Sequence, residues 1–329
     1  MNKIIGFDNE FEFILKKLEN NKLNNSILIT GNKGIGKFFF ITKIIENYIR
    51  FIVRPDQINH HLNLLSNNSH PNIKILQKKI DEKTSKIKNN ISIDQIREIN
   101  HFLNETSFIE DLPKFILIDS ADDLNLSSSN ALLKILEEPK TNNYFFLISH
   151  QPSLLIPTIK SRCLKLKLSC HNFKNFEIIL KNNNFSSDKE LTKFLFDITG
   201  GSPGLSNDYN FNDIIKNFDL LINSIIDENY LSDLHQNISN LFSEFTNDKF
   251  KIHLSIIKFI LIVLKKIKMG IDIKDNYLSK NILRIENFSK TITLEAIDNK
   301  FDYLIKNQND LFTLNLDKKL FMINFFTIK

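Results

Sequence analysis

Residues 25–50, NSILITGNKGIGKFFFITKIIENYIR, decide the fold class. The run from Ser26 to Thr30 is short and almost wholly apolar, which predicts a buried strand. The segment from Phe38 onward has helical spacing. Between them, Gly31-Asn32-Lys33-Gly34-Ile35-Gly36-Lys37 matches the phosphate-loop pattern G-x-x-x-x-G-K. That chemistry needs glycine because backbone N–H groups must wrap a phosphate at close range. Lys37 is placed to reach the outer phosphates, and the helix starting near it adds the positive end of its dipole. Gly31, Lys33, Gly34, Gly36 and Lys37 are therefore the expected nucleotide-binding loop, with ATP or ADP as its ligand or, as the alternative, an empty loop.

The same grammar repeats outward from this unit. Residues 10–20 read as an amphipathic helix, while 55–90 are polar and irregular around an apolar stretch at Ile73–Leu76. Ser92 is positioned to cap a helix on which Ile93, Ile96, Ile99, Phe102 and Leu103 share one face. Phe115–Asp119 (FILID) is a continuous apolar run of the kind found in central parallel strands. A helix follows over 127–138, ended by Pro139, then the strands YFFLISH and LKLKL. Alternation of this kind predicts an α/β domain over 1–167 with a parallel sheet covered on both faces. After about 168 nearly everything reads as helix. GGSPG at 200–204 marks a turn, dividing a small helical domain at 168–210 from a larger one at 211–329.

Asp119, at the carboxyl end of its strand, is the expected metal-side partner of the loop. Two departures from an active ATPase stand nearby. Phe38 follows the loop lysine where a Ser or Thr hydroxyl would bind magnesium. Ser120 follows Asp119 where a glutamate would polarise the attacking water, and a serine is no general base. Asp122 and Asp123 are expected to cap or orient the next turn. Efficient hydrolysis by this chain is therefore not expected. A chain that does not hydrolyse can still lend a guanidinium to a neighbour's nucleotide, and Arg162, in Ser161-Arg162-Cys163, is the candidate. The alternative for Arg162 is a plain surface arginine at a strand start.

Bulk properties set limits on what else the chain is. A 42% hydrophobic and 25% charged composition over 329 residues is that of ordinary globular domains. The net charge of +5 is a weak argument for nucleic-acid contact. Two cysteines, Cys163 and Cys170, are too few for a four-cysteine zinc site, so no zinc is expected. They fit a reduced cytoplasm, and no signal peptide opens the sequence. The most apolar segment, Leu254–Leu264, is shorter than a membrane span and contains Lys258, so it reads as a buried helix. His60, His61 and His70 read as surface or loop residues rather than metal ligands. Cys163 reads as a small buried residue.

With these residues in view, the chain resembles the bacterial clamp-loader subunits of DNA polymerase III, within the AAA+ superfamily. Ser161-Arg162-Cys163 is similar to that family's SRC motif, and it follows Leu154–Ile159 as the motif does there. Asn130–Pro139 (NALLKILEEP) resembles its NALLKxLEEP helix. Ile93–Arg97 resembles its V-D-Q-I-R helix, and Ile148–His150 its sensor 1 strand. Gly201–Gly204 resembles its sensor 2 turn, with Leu205 where an arginine would sit. Asn315–Asp317 resembles its C-terminal NLD segment.

The resemblance implies an AAA+ P-loop domain, a helical lid at 168–210 and a helical collar at 211–329 that joins an oligomer. It implies assembly with gamma or tau copies and the delta subunit, and an Arg162 that acts as an arginine finger in trans. The assembly would load a sliding clamp onto primed DNA, with this chain as its rigid, non-hydrolysing member. The alternative member type is a gamma-like subunit with its own ATPase activity. That type carries an intact GK[ST], an acidic DE pair and a zinc module, none of which this sequence has.

Overall fold

The apolar run at Ser26–Thr30 forms strand β1, and the chain winds its first unit around it. Helix α1 (Asp8–Glu19) precedes β1, and α2 (Lys37–Ile52) follows the glycine loop. Then come α3 (Ile58–Ser66), β2 (Ile73–Leu76), α4 (Ile93–Asn104), β3 (Lys114–Asp119), α5 (Leu126–Glu137), β4 (Asn143–Ser149), α6 (Pro157–Arg162) and β5 (Leu164–Lys167). The computed structural model describes residues 4–80, 87–88, 90–105, 109, 112–138, 141–183, 185, 188–206, 211–227, 229, 232–271 and 282–328, without the side chains of 211–216 and 248. Pro139 and the boundary expected at 210 lie outside the described residues.

The five strands form one sheet in the order β2-β3-β4-β1-β5, with every pairing parallel. Successive side chains on a strand point to opposite faces, and here both faces are buried. Ile27 and Ile29 of β1, Phe115 and Leu117 of β3, and Phe146 and Ile148 of β4 enter one core with α1 and α2. Leu28, Ile116, Ile118, Phe145 and Leu147 enter the other, against Ile96 and Ile99 of α4 and Leu132 of α5. Continuous apolar strands are what such a two-sided core requires. Each fully buried Ile, Leu or Phe contributes about 1.5–3 kcal/mol.

Local signals agree with this packing. Ser92 caps α4 in a capping box: its hydroxyl accepts from the Gln95 amide, and Gln95 Oε1 accepts from the Ser92 amide at 3.2 Å. Two elements differ from the expectation of an irregular 55–90 segment. α3 is a regular helix, and Ile73–Leu76 is strand β2. Among the described residues β2 pairs only with β3 at the sheet edge, so Lys74 and Ile75 are half-exposed and the run lacks the apolar continuity of its neighbours. His61 and His70 are also not surface residues. They are buried at 6% and 3% exposure, and His61 Nδ1 meets His70 Nε2 at 3.1 Å.

The chain forms two compact units, Met1–Asn175 and Phe176–Lys329. From Phe173 onward the described elements are helical: α7 (Phe173–Asn182), α8 (Lys189–Thr199), α9 (Pro203–Ser206), α10 (Phe211–Ile226), α11 (Asp233–Ser243), α12 (Asn247–Lys268), α13 (Ile282–Thr291), α14 (Leu294–Thr313) and α15 (Lys318–Thr327). The segment read as a turn at 200–204 begins with two left-handed glycines and then enters the short α9. One core runs from Phe176 and Phe194 through Phe218, Phe250 and Leu304 to Phe325, so the expected lid and collar segments share it. Leu254, Ile257, Leu261 and Leu264 of α12 are buried in it. Lys258 on the same helix bonds to Gln308, and burial lowers its pKa. No described helix is long and apolar enough to cross a membrane.

Candidate functional site

Parallel strands bring their carboxyl ends to one edge of the sheet, where open α/β sheets place ligands. Here that edge gathers the glycine loop after β1, Asp119 closing β3, and Ser149 and His150 at the end of β4. The register aligns Thr30 with Ser149, Thr30 with Lys167, and Asp119 with Ile148. Asp119, expected at the carboxyl end of its strand opposite the loop, is brought to this edge by the parallel sheet.

Lys37 dominates the loop. It is only 3% exposed, and its Nζ donates to the carbonyl oxygens of Gly31 and Asn32, both at 2.6 Å. Burial lowers its pKa to about 8, against the opposing pull of Asp119, Asp122 and Cys170. Its ammonium is charged at neutral pH and is held by the loop's own carbonyls. Lys33 is exposed on the same loop, and its charge reaches Asp119 and His150.

Gly31 and Gly36 carry the loop's unusual backbone. Gly31 has φ +146°, and a Cβ there would stand 2.4 Å from the Leu168 carbonyl oxygen just past β5. Gly36 caps α2 with φ +93°, and a Cβ there would meet open space. Gly34 also has positive φ. Exposed Cys170 accepts from Asn32 Nδ2 at 3.1 Å. His171, in the next position, is buried with its Nε2 3.0 Å from the Ile35 carbonyl. The loop is thus clamped on one side by the chain that follows β5.

The two expected departures have structural counterparts. Phe38 is partly buried and packs into the core beneath α2, so it presents no oxygen to the loop. The Ser120 hydroxyl donates to Asp123 Oδ2 at 3.0 Å. Asp119 is itself partly enclosed. Burial raises its pKa, opposed by a hydrogen bond from Gln77 Nε2 at 3.3 Å and by the Lys37 charge. Lys37, tied to the Gly31 and Asn32 carbonyls, and the loop backbone are the groups that would hold a phosphate. The site does not fit metal-assisted hydrolysis, because it lacks both the hydroxyl ligand and the carboxylate for water activation.

Asp122 is not confined to the turn it was expected to orient. It accepts from Ser149 Oγ at 2.6 Å, His150 N at 2.5 Å and Gln151 N at 3.1 Å, fastening the end of β4 to the turn after β3. Asp123 accepts from the Ser120 hydroxyl within its own turn and pairs with the sequence-distant Lys78 at 3.0 Å. His150 beside Asp122 is held neutral, its pKa pushed down to about 4 by burial and then by the Lys37 charge.

Arg162 closes α6. Its side chain is 34% exposed. One terminal nitrogen donates to Glu137 Oε1 at 2.6 Å, and the other to the Thr158 carbonyl at 3.1 Å. Sequence reading had found the arginine but not its carboxylate partner, which ends α5. Cys163 next to it is buried, and burial raises its thiol pKa to about 11, as a packing residue requires.

The sequence pattern of the family described as "DNA polymerase III, delta subunit" matches residues 8–172. The chain is 40% identical over 102 residues to the DNA polymerase III subunit delta' of Pseudomonas aeruginosa, covering 31% of this chain and 29% of that one. It is 34% identical over 182 residues to the protein of the same name from Buchnera aphidicola, covering 53% and 52%. The chain thus spans about half the length of these relatives or less. Among solved structures, a gamma subunit-related protein of DNA polymerase III from Thermotoga maritima aligns over 95% of this chain and 97% of its own, with a TM-score of 0.39 at 16% identity.

Proposed function

The chain belongs to the DNA polymerase III delta-subunit family, whose pattern covers residues 8–172, and from that premise we propose that it is a delta-prime-type clamp-loader subunit. It assembles with gamma or tau copies and with delta in the cytoplasm. The assembly uses ATP bound elsewhere to place a sliding clamp on primer-template DNA. This chain contributes the non-hydrolysing member and offers Arg162 to the γ-phosphate of a neighbouring subunit.

The observation that carries this reading is the position of Phe38. Its ring packs into the core under α2, directly after the loop lysine, where hydrolysis needs a magnesium-binding hydroxyl. A chain with this loop depends on other subunits for turnover. An exposed guanidinium fixed at the end of α6 supports the complementary half of the reading. On this reading ADP or ATP binds weakly at Lys37, and no zinc is used.

The test is ATP hydrolysis by the chain alone and by a reconstituted gamma, delta and delta-prime assembly with clamp and primed DNA. The expected result is no turnover by the isolated chain, and assembly turnover that falls by about tenfold with Arg162→Ala. Steady hydrolysis by the isolated chain would assign a gamma-type subunit instead. Failure to assemble with gamma and delta would remove the clamp-loader reading altogether.

A further inference from the structure

We propose that Glu137 is the positioning residue for Arg162. The proposal rests on the trans-acting reading above and adds the group that aims the guanidinium.

Glu137 ends α5 and Arg162 ends α6, and they are 25 residues apart in sequence. A guanidinium carries five N–H donors in a planar fork. The Glu137 carboxylate takes one donor at 2.6 Å, on one terminal nitrogen, and the Thr158 carbonyl takes one at 3.1 Å on the other. Two anchors on different nitrogens fix both the position and the plane of the fork. The ion pair is monodentate, so the remaining donors stay available for phosphate oxygens. A free arginine at such a site would lose rotamer freedom on every productive encounter. One already tethered arrives with that loss taken in its own fold.

The pair is 34% and 48% exposed on its two sides, so it adds little to global stability. Its effect belongs in the chemical step. Removing the carboxylate should lower turnover at saturating ATP without weakening ATP binding, because the neighbour's nucleotide pocket is untouched.

The experiment is a double-mutant cycle in the reconstituted, clamp- and DNA-stimulated assembly, with Glu137→Gln, Arg162→Ala and the pair combined. Arg162→Ala should lower kcat about tenfold. Glu137→Gln should lower kcat about three- to fivefold with KM for ATP unchanged, in line with an exposed ion pair of this kind. The double variant should match Arg162→Ala alone, and Glu137→Asp should recover most of the rate. Wild-type turnover in Glu137→Gln overturns the proposal. So does a further loss when Glu137→Gln is added to Arg162→Ala, which would mean a merely structural corner. If Arg162→Ala itself keeps full turnover in an intact assembly, the trans-acting reading fails, and this proposal fails with it. The two failures are thus told apart by the single arginine variant.

Discussion

Asp122 and Ser149 meet at 2.6 Å, although 27 residues separate them. The contact joins the turn after β3 to the last residue of β4, and the His150 and Gln151 amides add two more donors to the same carboxylate. Charge-assisted bonds of this kind are individually stronger than neutral ones. They fix the shape of the sheet edge on which the phosphate loop sits.

Asp122→Ala is expected to destabilise the protein by about 2–4 kcal/mol, because three donors lose a shared anion. Ser120→Ala removes only the hydroxyl bond to Asp123 and should cost about 1 kcal/mol or less. Urea unfolding of the two variants checks the difference. Equal losses would show that Asp122 is not the junction described.

Gly31→Ala should be far worse than Gly36→Ala. The added methyl at 31 would meet the Leu168 carbonyl at 2.4 Å, whereas the one at 36 meets open space. Both suffer the strain of positive φ, about 1 kcal/mol, but only Gly31 adds a backbone clash, for a total of about 3 kcal/mol or more. Thermal unfolding midpoints of the two variants give the answer, and a milder effect at 31 than at 36 would refute the loop geometry.

ATP affinity of the isolated chain is expected to change by less than about twofold on adding magnesium. Phe38→Thr restores a hydroxyl at the metal position and should introduce a magnesium-dependent gain of about tenfold. Calorimetric titration with and without the metal reads both. Strong magnesium dependence in the wild type would contradict the role assigned to Phe38.

The first unit should weaken on mild acidification. His70 and His150 are held neutral with pKa values near 4, chiefly by burial, while an unfolded histidine titrates near about 6.5. Between these values the unfolded chain binds more protons, so the stability present above pH 6.5 is lost as pH falls toward 4. Each histidine contributes on the order of 2–3 kcal/mol over that window. His70→Gln should flatten the slope of unfolding free energy between pH 7 and 4.5, and an unchanged slope would sink this account.

The legible parts of the chain were those whose signal is local. β1, the glycine loop and α2 form one contiguous signal, and β3 and β4 announce themselves by unbroken apolar runs that a two-sided core demands. Ser92 and Gln95 cap α4 within four residues of each other. β2 stayed hidden because an edge strand with half-exposed Lys74 and Ile75 has neither continuity nor clean alternation. The reach of Asp122 to Ser149, the Glu137–Arg162 pair and the burial of His61 against His70 were hidden for another reason. Their partners are set by sheet register and helix packing rather than by spacing along the chain. The missing magnesium hydroxyl at Phe38 and the missing water-activating carboxylate at Ser120 are legible in the sequence, but where these side chains turn instead is not.

The Leu168 carbonyl beside Gly31 has a consequence for how signatures are interpreted. Glycine at 31 is demanded by the neighbouring backbone whether or not a phosphate ever enters the loop. Lys37 likewise serves as an internal tie for two carbonyls of its own loop. The pattern that advertises nucleotide chemistry can therefore be held in place by architecture alone. In this protein the first and last letters of that pattern are evidence of how the loop is seated rather than of what it binds.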